Sequence, residues 1–183
     1  MDITATAKEE FLAAPWLKEL GESPRAAVLR ELKEARVPAK TDLLIQGVQN
    51  DNLIFLVGGT VDVLWDCVGG EQQLVTSLEA PAVFGVPSFF RPISPSVTVR
   101  ARTEARILTL DHASHERIRR QCPEAAEVLA LAAIRVLADR FDLLDGRLCE
   151  LMAQEAKRTS SKSTSAASEW AKFRAQLFEK ATL

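Results

Sequence analysis

The feature that most constrains the fold is a series of short apolar runs between Asp42 and Leu110. Six runs rich in branched apolar residues follow one another, and turn residues separate them: LLIQG, NLIFLV, TVDVLW, QLVTSL, SVTVRA and RILTL. Such runs are typical of β-strands, and many short strands with glycine turns indicate a sandwich or a barrel-like roll. Gly58-Gly59 predicts a tight hairpin between the second and third runs, and Gly69-Gly70 predicts a turn after the third.

Helical patterns lie on both sides of these strands. Apolar residues recur at helical spacing near the N-terminus, and a second helix that carries Val28, Leu29 and Leu32 is expected to end before Pro38. A long helix is predicted from Pro123 to about Lys157, because proline suits the first turn of a helix. The predicted fold class is α+β: an antiparallel, jelly-roll-like β-roll flanked by N-terminal helices and a long C-terminal helix.

The long helix carries an apolar seam whose members are separated by alternating steps of four and three. Starting from Ala130, the seam consists of Ile134, Leu137, Phe141, Leu144, Leu148 and Leu151. A heptad seam sustained over three repeats is typical of a coiled coil. We therefore expect a homodimer in which two copies of this helix pair, and the alternative is a helix packed wholly on its own roll.

The C-terminal region changes composition. Residues 158–167 are rich in serine and threonine and are predicted to be a flexible linker between a domain over residues 1–157 and an amphipathic tail helix over residues 168–183. Trp170, Phe173 and Leu177 line one face of this tail helix. That face fits either a helix that folds back on the roll or a tethered peptide that docks into the groove of a protein partner.

Charge and cysteine content exclude several classes of protein. The formal net charge is −2, so no basic surplus favours nucleic acid or an anionic membrane surface. The three cysteines, Cys67, Cys122 and Cys149, form no Cys-x-x-Cys and fit a reducing cytosol. The N-terminus lacks the pattern of a signal peptide, and the most apolar stretch is too charged to span a bilayer. We expect a cytoplasmic protein.

The sequence contains no pattern that supports catalysis. It has no Ser-His-Asp order, glycine-rich phosphate loop or paired-carboxylate motif, so we expect neither enzymatic activity nor a cofactor. His112 and His115 have a spacing that could help to bind a metal, but no third ligand is evident, and solvated histidines with no metal site are the prediction. Three arginines, at positions 117, 119 and 120, are interpreted as a solvated helix face.

The segment from Phe11 to about Leu151 resembles the cyclic-nucleotide-binding domain of catabolite activators and of kinase regulatory subunits. The resemblance rests on the order of FLAAPWLKEL, of Gly47, of NLIFLVGGTVDVLW, of Phe84-Gly85 and of SVTVRARTEARILTL. It implies a β-roll with a phosphate-binding cassette that begins at Phe84-Gly85. It also implies that the helix after Pro123 is the one that pairs subunits in catabolite activators. Lys40 departs from the family, which usually has glycine in this early turn.

The cassette, FGVPSFFRPISPSVTVRA, departs most from the family pattern. Val86 stands where the resemblance places a glutamate for the ribose hydroxyl. Pro95, or Ser94 if the register slips by one, stands where it places the arginine for the cyclic phosphate. Pro87 also removes an amide donor. Usual binding of cAMP or cGMP is therefore not expected, although Arg91, Arg100, Ser88 or Ser96 could replace the lost groups. The residues expected to line this altered pocket are Phe84, Gly85, Val86, Pro87, Ser88, Phe89, Pro95, Ser96 and Val97.

These observations leave three functions open. The first is a dimeric regulatory or scaffold module that recruits a partner through its tail. The second is a small-molecule sensor that uses the altered cassette, for which an apolar effector would suit Val86, Phe89, Phe90 and Val97. The third, a DNA-binding transcription regulator, is disfavoured because only 26 residues follow Lys157, too few for a helix-turn-helix domain with a supporting core.

Overall fold

The computed structural model describes residues 3–14, 21–67, 70–91 and 93–158. Among the described residues, helices α1 (Ala5–Ala13) and α2 (Glu22–Glu31) precede the first strand, as the N-terminal pattern predicts. The Thr4 hydroxyl accepts a hydrogen bond from the Ala7 amide and so caps α1. The Phe11 ring meets the Phe55 ring edge-on at a centroid distance of 5.0 Å, which fixes α1 on the roll.

In the described part of the chain, eight strands form two four-stranded antiparallel sheets. They are β1 (Lys33–Val37), β2 (Asp42–Leu44), β3 (Asn52–Gly58), β4 (Thr60–Asp66), β5 (Gln72–Glu79), β6 (Ala82–Phe84), β7 (Thr98–Ala101) and β8 (Ala105–Asp111). The strand orders are β1-β8-β3-β6 and β2-β7-β4-β5. The predicted antiparallel β-roll is confirmed.

The two sheets enclose one apolar core. Its buried members come from both sheets: Leu44, Ile54, Leu56, Val61, Phe84, Val99, Ala101, Ala105 and Ile107. Five consecutive residues of β3, from Leu53 to Val57, are buried, because the strand packs on the core with one face and under α1 with the other. The run NLIFLV is therefore continuously apolar instead of alternating.

The predicted hairpin at Gly58-Gly59 is wrong. Strand β3 pairs with β6 and β8, whereas β4 pairs with β5 and β7, so the chain passes from one sheet to the other at this point. Gly59 has a φ of +91°, and a Cβ there would lie 2.4 Å from the Glu104 carbonyl oxygen. Gly59 is therefore required by this close crossing and not by a two-residue turn.

The next turn is a hairpin, as predicted. Strands β4 and β5 are antiparallel neighbours, with one register shift between Val63 and Leu64. The Cys67 amide donates to the Glu71 carbonyl at 2.9 Å, and Gly70 has a φ of +85°. A pair of glycines thus predicts a hairpin correctly between β4 and β5 and incorrectly between β3 and β4.

Two further local differences concern the first strands. Helix α2 ends at Glu31, and the residues between it and Pro38 form β1, which pairs with β8 at the sheet edge. Lys40 has a φ of +70° in the turn after β1. Its amide donates to the Ala101 carbonyl at 2.6 Å, so the turn keeps the geometry that glycine would adopt freely.

Within the described ranges, the helices that follow or interrupt the strands are α3 (Val86–Phe90), α4 (His112–Gln121) and α5 (Pro123–Arg158). The long helix predicted from Pro123 is confirmed. The Asp111 carboxylate caps α4 by accepting from the Ser114 amide at 2.7 Å, and it binds Lys33 Nζ at 2.7 Å. The Lys33 bond, followed by the bond from the Ser114 amide, lowers the pKa of Asp111 to about 2.

The chain divides into two compact units with a boundary inside α5, between Ile134 and Arg135. In the first unit, the start of α5 buries Ala125, Ala126, Leu129, Ala132 and Ala133. In the second unit, the described residues are the rest of α5, from Arg135 to Arg158. Among the described residues, no helix combines the length and the apolar character that a bilayer span requires.

Candidate functional site

The cassette lies between β6 and β7, and a glycine fixes its entry. Gly85 has a φ of +82° and precedes α3, whose Phe89 amide donates to the Gly85 carbonyl at 2.8 Å. A Cβ at Gly85 would lie 2.6 Å from the Asn52 carbonyl oxygen. The turn therefore needs glycine both for its backbone angle and for its closeness to β3.

The structure brings most of the predicted pocket residues into the protein interior and leaves few exposed. Pro87 and Ser96 are exposed and Val97 is half-buried. The buried members are Phe84, Gly85, Val86, Ser88, Phe89 and Pro95. Val86 is only 1% exposed, so the position where the resemblance places the ribose-binding glutamate presents hydrocarbon inside the packed protein.

Ser88, one of the predicted replacement donors, already makes hydrogen bonds inside the protein. Its hydroxyl donates to the Gly85 carbonyl at 3.1 Å and accepts from Asn50 Nδ2 at 3.1 Å. The same Asn50 amide nitrogen donates to the Asn52 carbonyl at 2.7 Å. The hydroxyl therefore joins α3 to the segment before β3, a role that no sequence pattern indicates.

Pro95 is held by its backbone. Its carbonyl accepts a hydrogen bond from the Gly47 amide at 2.9 Å, which joins the end of the cassette to the turn between β2 and β3. A buried imino ring at this position offers neither a charge nor an N–H donor to a phosphate.

Arg100 of β7 is also engaged. Its Nε lies 2.5 Å from Oδ1 of Asp42 and its Nη2 lies 3.1 Å from Oδ2, while Nη1 donates to the Gln72 side-chain oxygen at 2.9 Å. The hydrogen bond with Asp42 raises the pKa of Arg100. The guanidinium thus crosslinks three strands of one sheet. Arg91 and Ser96 remain exposed.

Both histidines of α4 contact phenylalanine rings, which the prediction of solvated histidines did not include. His112 is exposed but stacks on Phe89, and His115 is half-buried against Phe89 and Phe90. Sequence reasoning missed this contact because Phe89 and His112 are far apart in the chain. Within the described residues, no group of three or more potential ligands is placed to hold a metal ion.

The three arginines of α4 form ion pairs with neighbouring carboxylates. Arg117 binds Glu31 of α2, with Nη2 2.7 Å from Oε2. Arg119 and Arg120 both bind Glu116 on the same helix, and their hydrogen bonds lower the pKa of Glu116 to about 2. The interpretation as a helix face in water is compatible with the exposure of all three arginines.

The seam of α5 is largely exposed in the single chain. The exposed fractions are 60% for Ile134, 37% for Leu137, 52% for Phe141, 64% for Leu144 and 48% for Leu151, and Leu148 is half-buried. Exposed apolar side chains at heptad spacing form a contiguous stripe, which is uncommon on a solvated helix. The predicted linker and the tail residues Trp170, Phe173 and Leu177 lie outside the described residues.

Comparison with known proteins identifies the roll. Residues 34–122 match the family model of the cyclic nucleotide-binding domain. The potassium channel AKT2 of Oryza sativa subsp. japonica is 26% identical over 153 residues, covering 80% of this chain and 18% of the channel. The chain thus spans less than a fifth of that relative's length.

Solved structures share the fold. The Thermus thermophilus catabolite activator protein has a TM-score of 0.66 at 22% identity, covering 78% of this chain and 65% of that one. A cAMP-bound mutant of the regulatory subunit of a cAMP-independent protein kinase A from Trypanosoma brucei has a TM-score of 0.58 at 16% identity, covering 78% of this chain and 52% of that one. Both likenesses concern the fold alone.

Proposed function

We propose that this chain, whose residues 34–122 match the family model of the cyclic nucleotide-binding domain, is a dimeric regulatory module that does not bind cAMP or cGMP in the usual way. It acts in the cytoplasm as a scaffold or partner-binding protein and catalyses no reaction. Its long helix pairs with a second copy, and its tail helix recruits a protein partner.

The observation that carries the first part is the replacement of both charged recognition groups by Val86 and Pro95. Burying a phosphate charge without its cationic partner costs several kcal/mol, because desolvation is no longer offset. A ribose hydroxyl that faces valine loses about 1–3 kcal/mol more. Together these terms reduce affinity by about three orders of magnitude or more.

The internal contacts oppose a rescue by neighbouring side chains. Arg100 would have to leave Asp42 and Gln72, and Ser88 would have to leave the Gly85 carbonyl and Asn50. Each move strands a polar group inside or near the roll, at a cost of about 1–3 kcal/mol. Arg91 and Ser96 are the exposed candidates that remain.

The structural neighbour from Trypanosoma brucei is the regulatory subunit of a cAMP-independent kinase, and its cAMP-bound structure is of a mutant with three substitutions. By analogy, the altered cassette of this chain leaves the roll intact without supporting the usual binding of a cyclic nucleotide.

The exposed seam of α5 carries the second part of the proposal. Ile134, Phe141 and Leu148 occupy a-type positions of the heptad, and Leu137, Leu144 and Leu151 occupy d-type positions. These side chains lose contact with water when a second copy of the helix packs against them. The occupant that we propose for the seam is this second copy.

Sedimentation velocity of the intact chain over a range of concentrations tests the pairing. We expect a species of twice the chain mass that dissociates only at low concentration. A monomer at every concentration would remove the scaffold proposal's main support.

A second candidate function is a sensor of an apolar small molecule. The exposed Phe90 and the half-buried Val97 favour it, since both lie on the cassette and could contact an apolar effector. A thermal-shift screen with metabolites separates the two functions, because a true effector raises the melting temperature by several degrees at saturating concentration.

A further inference from the structure

Four aromatic rings join the cassette helix to α4. Phe89 lies between the two histidines: its ring is stacked on His112 with centroids 4.5 Å apart and planes 4° apart, and it meets His115 edge-on at 5.4 Å. Phe90 completes the group, with its ring 5.1 Å from Phe89 and 5.8 Å from His115. We call this set the Phe–His cluster. Both phenylalanines come from α3, and both titratable members come from α4.

His115 is the member whose charge the cluster tolerates least. Its Nε2 atom is buried and finds no hydrogen-bond partner within the described part of the chain. A proton on that nitrogen would add a buried donor and a positive charge beside apolar rings, without an acceptor among the described residues. Burial is the main cause of a lowered pKa for His115, and the neighbouring His112 lowers it further.

The charged groups nearest to His115 lie on its own helix. On α4 itself, Glu116 raises the pKa of His115 and Arg119 lowers it, and these two side chains are bound to each other. Helix α3, with the sequence VPSFF, carries no ionisable side chain.

Among the described residues, the carboxylates on the elements next to α4 are paired with cations other than His115. Helix α2 presents Glu31, which binds Arg117, and β8 presents Asp111, which binds Lys33. A proton on His115 therefore gains only the partial attraction of Glu116.

We propose that the Phe–His cluster is a pH-sensitive contact that holds α3 on α4 while His115 is neutral and releases α3 when His115 becomes protonated. Phe89, only 3% exposed, then separates from the imidazole, and His115 gains access to water. The contact thereby links the position of the cassette to pH, whatever ligand or partner the module serves.

The direction of the effect follows from the histidine's titration. A free histidine has a pKa near 6.5, and the closed cluster lowers that value, so the released state binds the proton more tightly than the closed one. The contact is fully stable above the pKa of the released state and weakens as pH falls below it. One pH unit below the pKa of the released state, the equilibrium constant between the closed and the released state has fallen by up to about tenfold.

Hydrogen exchange with the intact chain tests the proposal. The amides of Phe89, Phe90 and Arg91 report on α3, and their protection factors, corrected for intrinsic exchange, are compared at neutral pH and about two units lower. We expect protection to fall by about threefold to tenfold in the wild type. His115→Phe keeps a ring of similar shape but cannot titrate, and it should abolish this fall. His112→Phe is the matched control and should retain most of it.

Two results would overturn the proposal. One is a wild-type α3 whose protection does not change with pH, and the other is an unchanged pH response in His115→Phe. If His115→Phe does not fold, His115→Gln gives the same comparison. A nuclear magnetic resonance titration of the imidazole protons adds an independent readout, since a pKa for His115 at or above that of a free histidine contradicts the closed contact.

Discussion

The Arg100 guanidinium binds both carboxylate oxygens of Asp42, with Nε 2.5 Å from Oδ1 and Nη2 3.1 Å from Oδ2. This two-point contact joins β7 to β2 across the sheet. Bidentate pairs of this kind combine charge with fixed geometry and are among the stronger polar contacts. The contact therefore keeps the Arg100 guanidinium away from a phosphate bound at the cassette.

Restoring the two lost groups should restore nucleotide binding. We expect the double variant Val86→Glu, Pro95→Arg to gain affinity for cAMP or cGMP by about three orders of magnitude, measured by titration calorimetry. Asp42→Asn, which weakens the hold on Arg100 without adding a recognition group, is the control and should remain without detectable binding. Equal binding by both variants would mean that Arg100 supplies the phosphate contact.

A charge on the α5 seam should separate the dimer. Leu144→Glu places a carboxylate at a d-type position, where two copies would bury it, and we expect a monomer in sedimentation velocity. Leu143→Glu is the matched control, because Leu143 is 78% exposed and lies off the seam. A dimer that survives Leu144→Glu, or one lost equally in both variants, speaks against pairing through the seam.

Two glycines with similar backbone angles should differ in their tolerance of alanine. Gly47 has a φ of +77° and nothing within 4 Å of an added Cβ, so Gly47→Ala should cost about 1–2 kcal/mol of unfolding free energy. Gly85→Ala adds a contact of 2.6 Å with the Asn52 carbonyl oxygen and should cost about 2 kcal/mol more. Urea denaturation of both variants measures the difference, and equal costs would show that the turn before α3 relaxes freely.

The cap of α4 should make stability depend on acid pH. Asp111 has a pKa lowered from 3.8 to about 2, so its contribution is complete above the unfolded value and is lost as pH falls through the folded one. Asp111→Ala should cost about 1 kcal/mol at neutral pH, mostly from the lost cap, because the exposed pair with Lys33 is screened by water.

Asp111→Asn separates the cap from the charge. Asparagine still accepts the Ser114 amide but does not titrate, so this variant should lose less stability at neutral pH and show a smaller decline between pH 4 and pH 2 in thermal unfolding. An acid profile identical to that of the wild type would assign the decline to other carboxylates.

The strands of the roll could be predicted because their runs are apolar and bounded by turn residues, and the long helix because Pro123 begins an unbroken pattern. Strand β1 could not, since KEARV is charged, as suits the edge of a sheet. The crossing at Gly58-Gly59 was mistaken for a hairpin because a glycine pair looks the same in both, and only the pairing of β3 with β8 distinguishes them.

The missing charged groups of the candidate site could be predicted from the sequence, but the contacts made by the neighbouring side chains could not. Val86 and Pro95 can be identified from the order of residues in the cassette, since each stands at a fixed distance from Gly85 or from β7. The contacts that occupy Ser88 and Arg100 depend on Asn50 and Asp42, which lie 38 and 58 residues away along the chain. Pairs at such separations carry no local pattern, so they become visible only in the folded chain.

Titration calorimetry of the unmodified chain with cAMP and with cGMP tests the altered cassette most directly. We predict no heat of binding for either nucleotide at ligand concentrations up to about 1 mM, a threshold that corresponds to roughly −4 kcal/mol. Saturable binding in the micromolar range, with one nucleotide per chain, would show that the phosphate and ribose find partners despite Val86 and Pro95, and it would contradict this account.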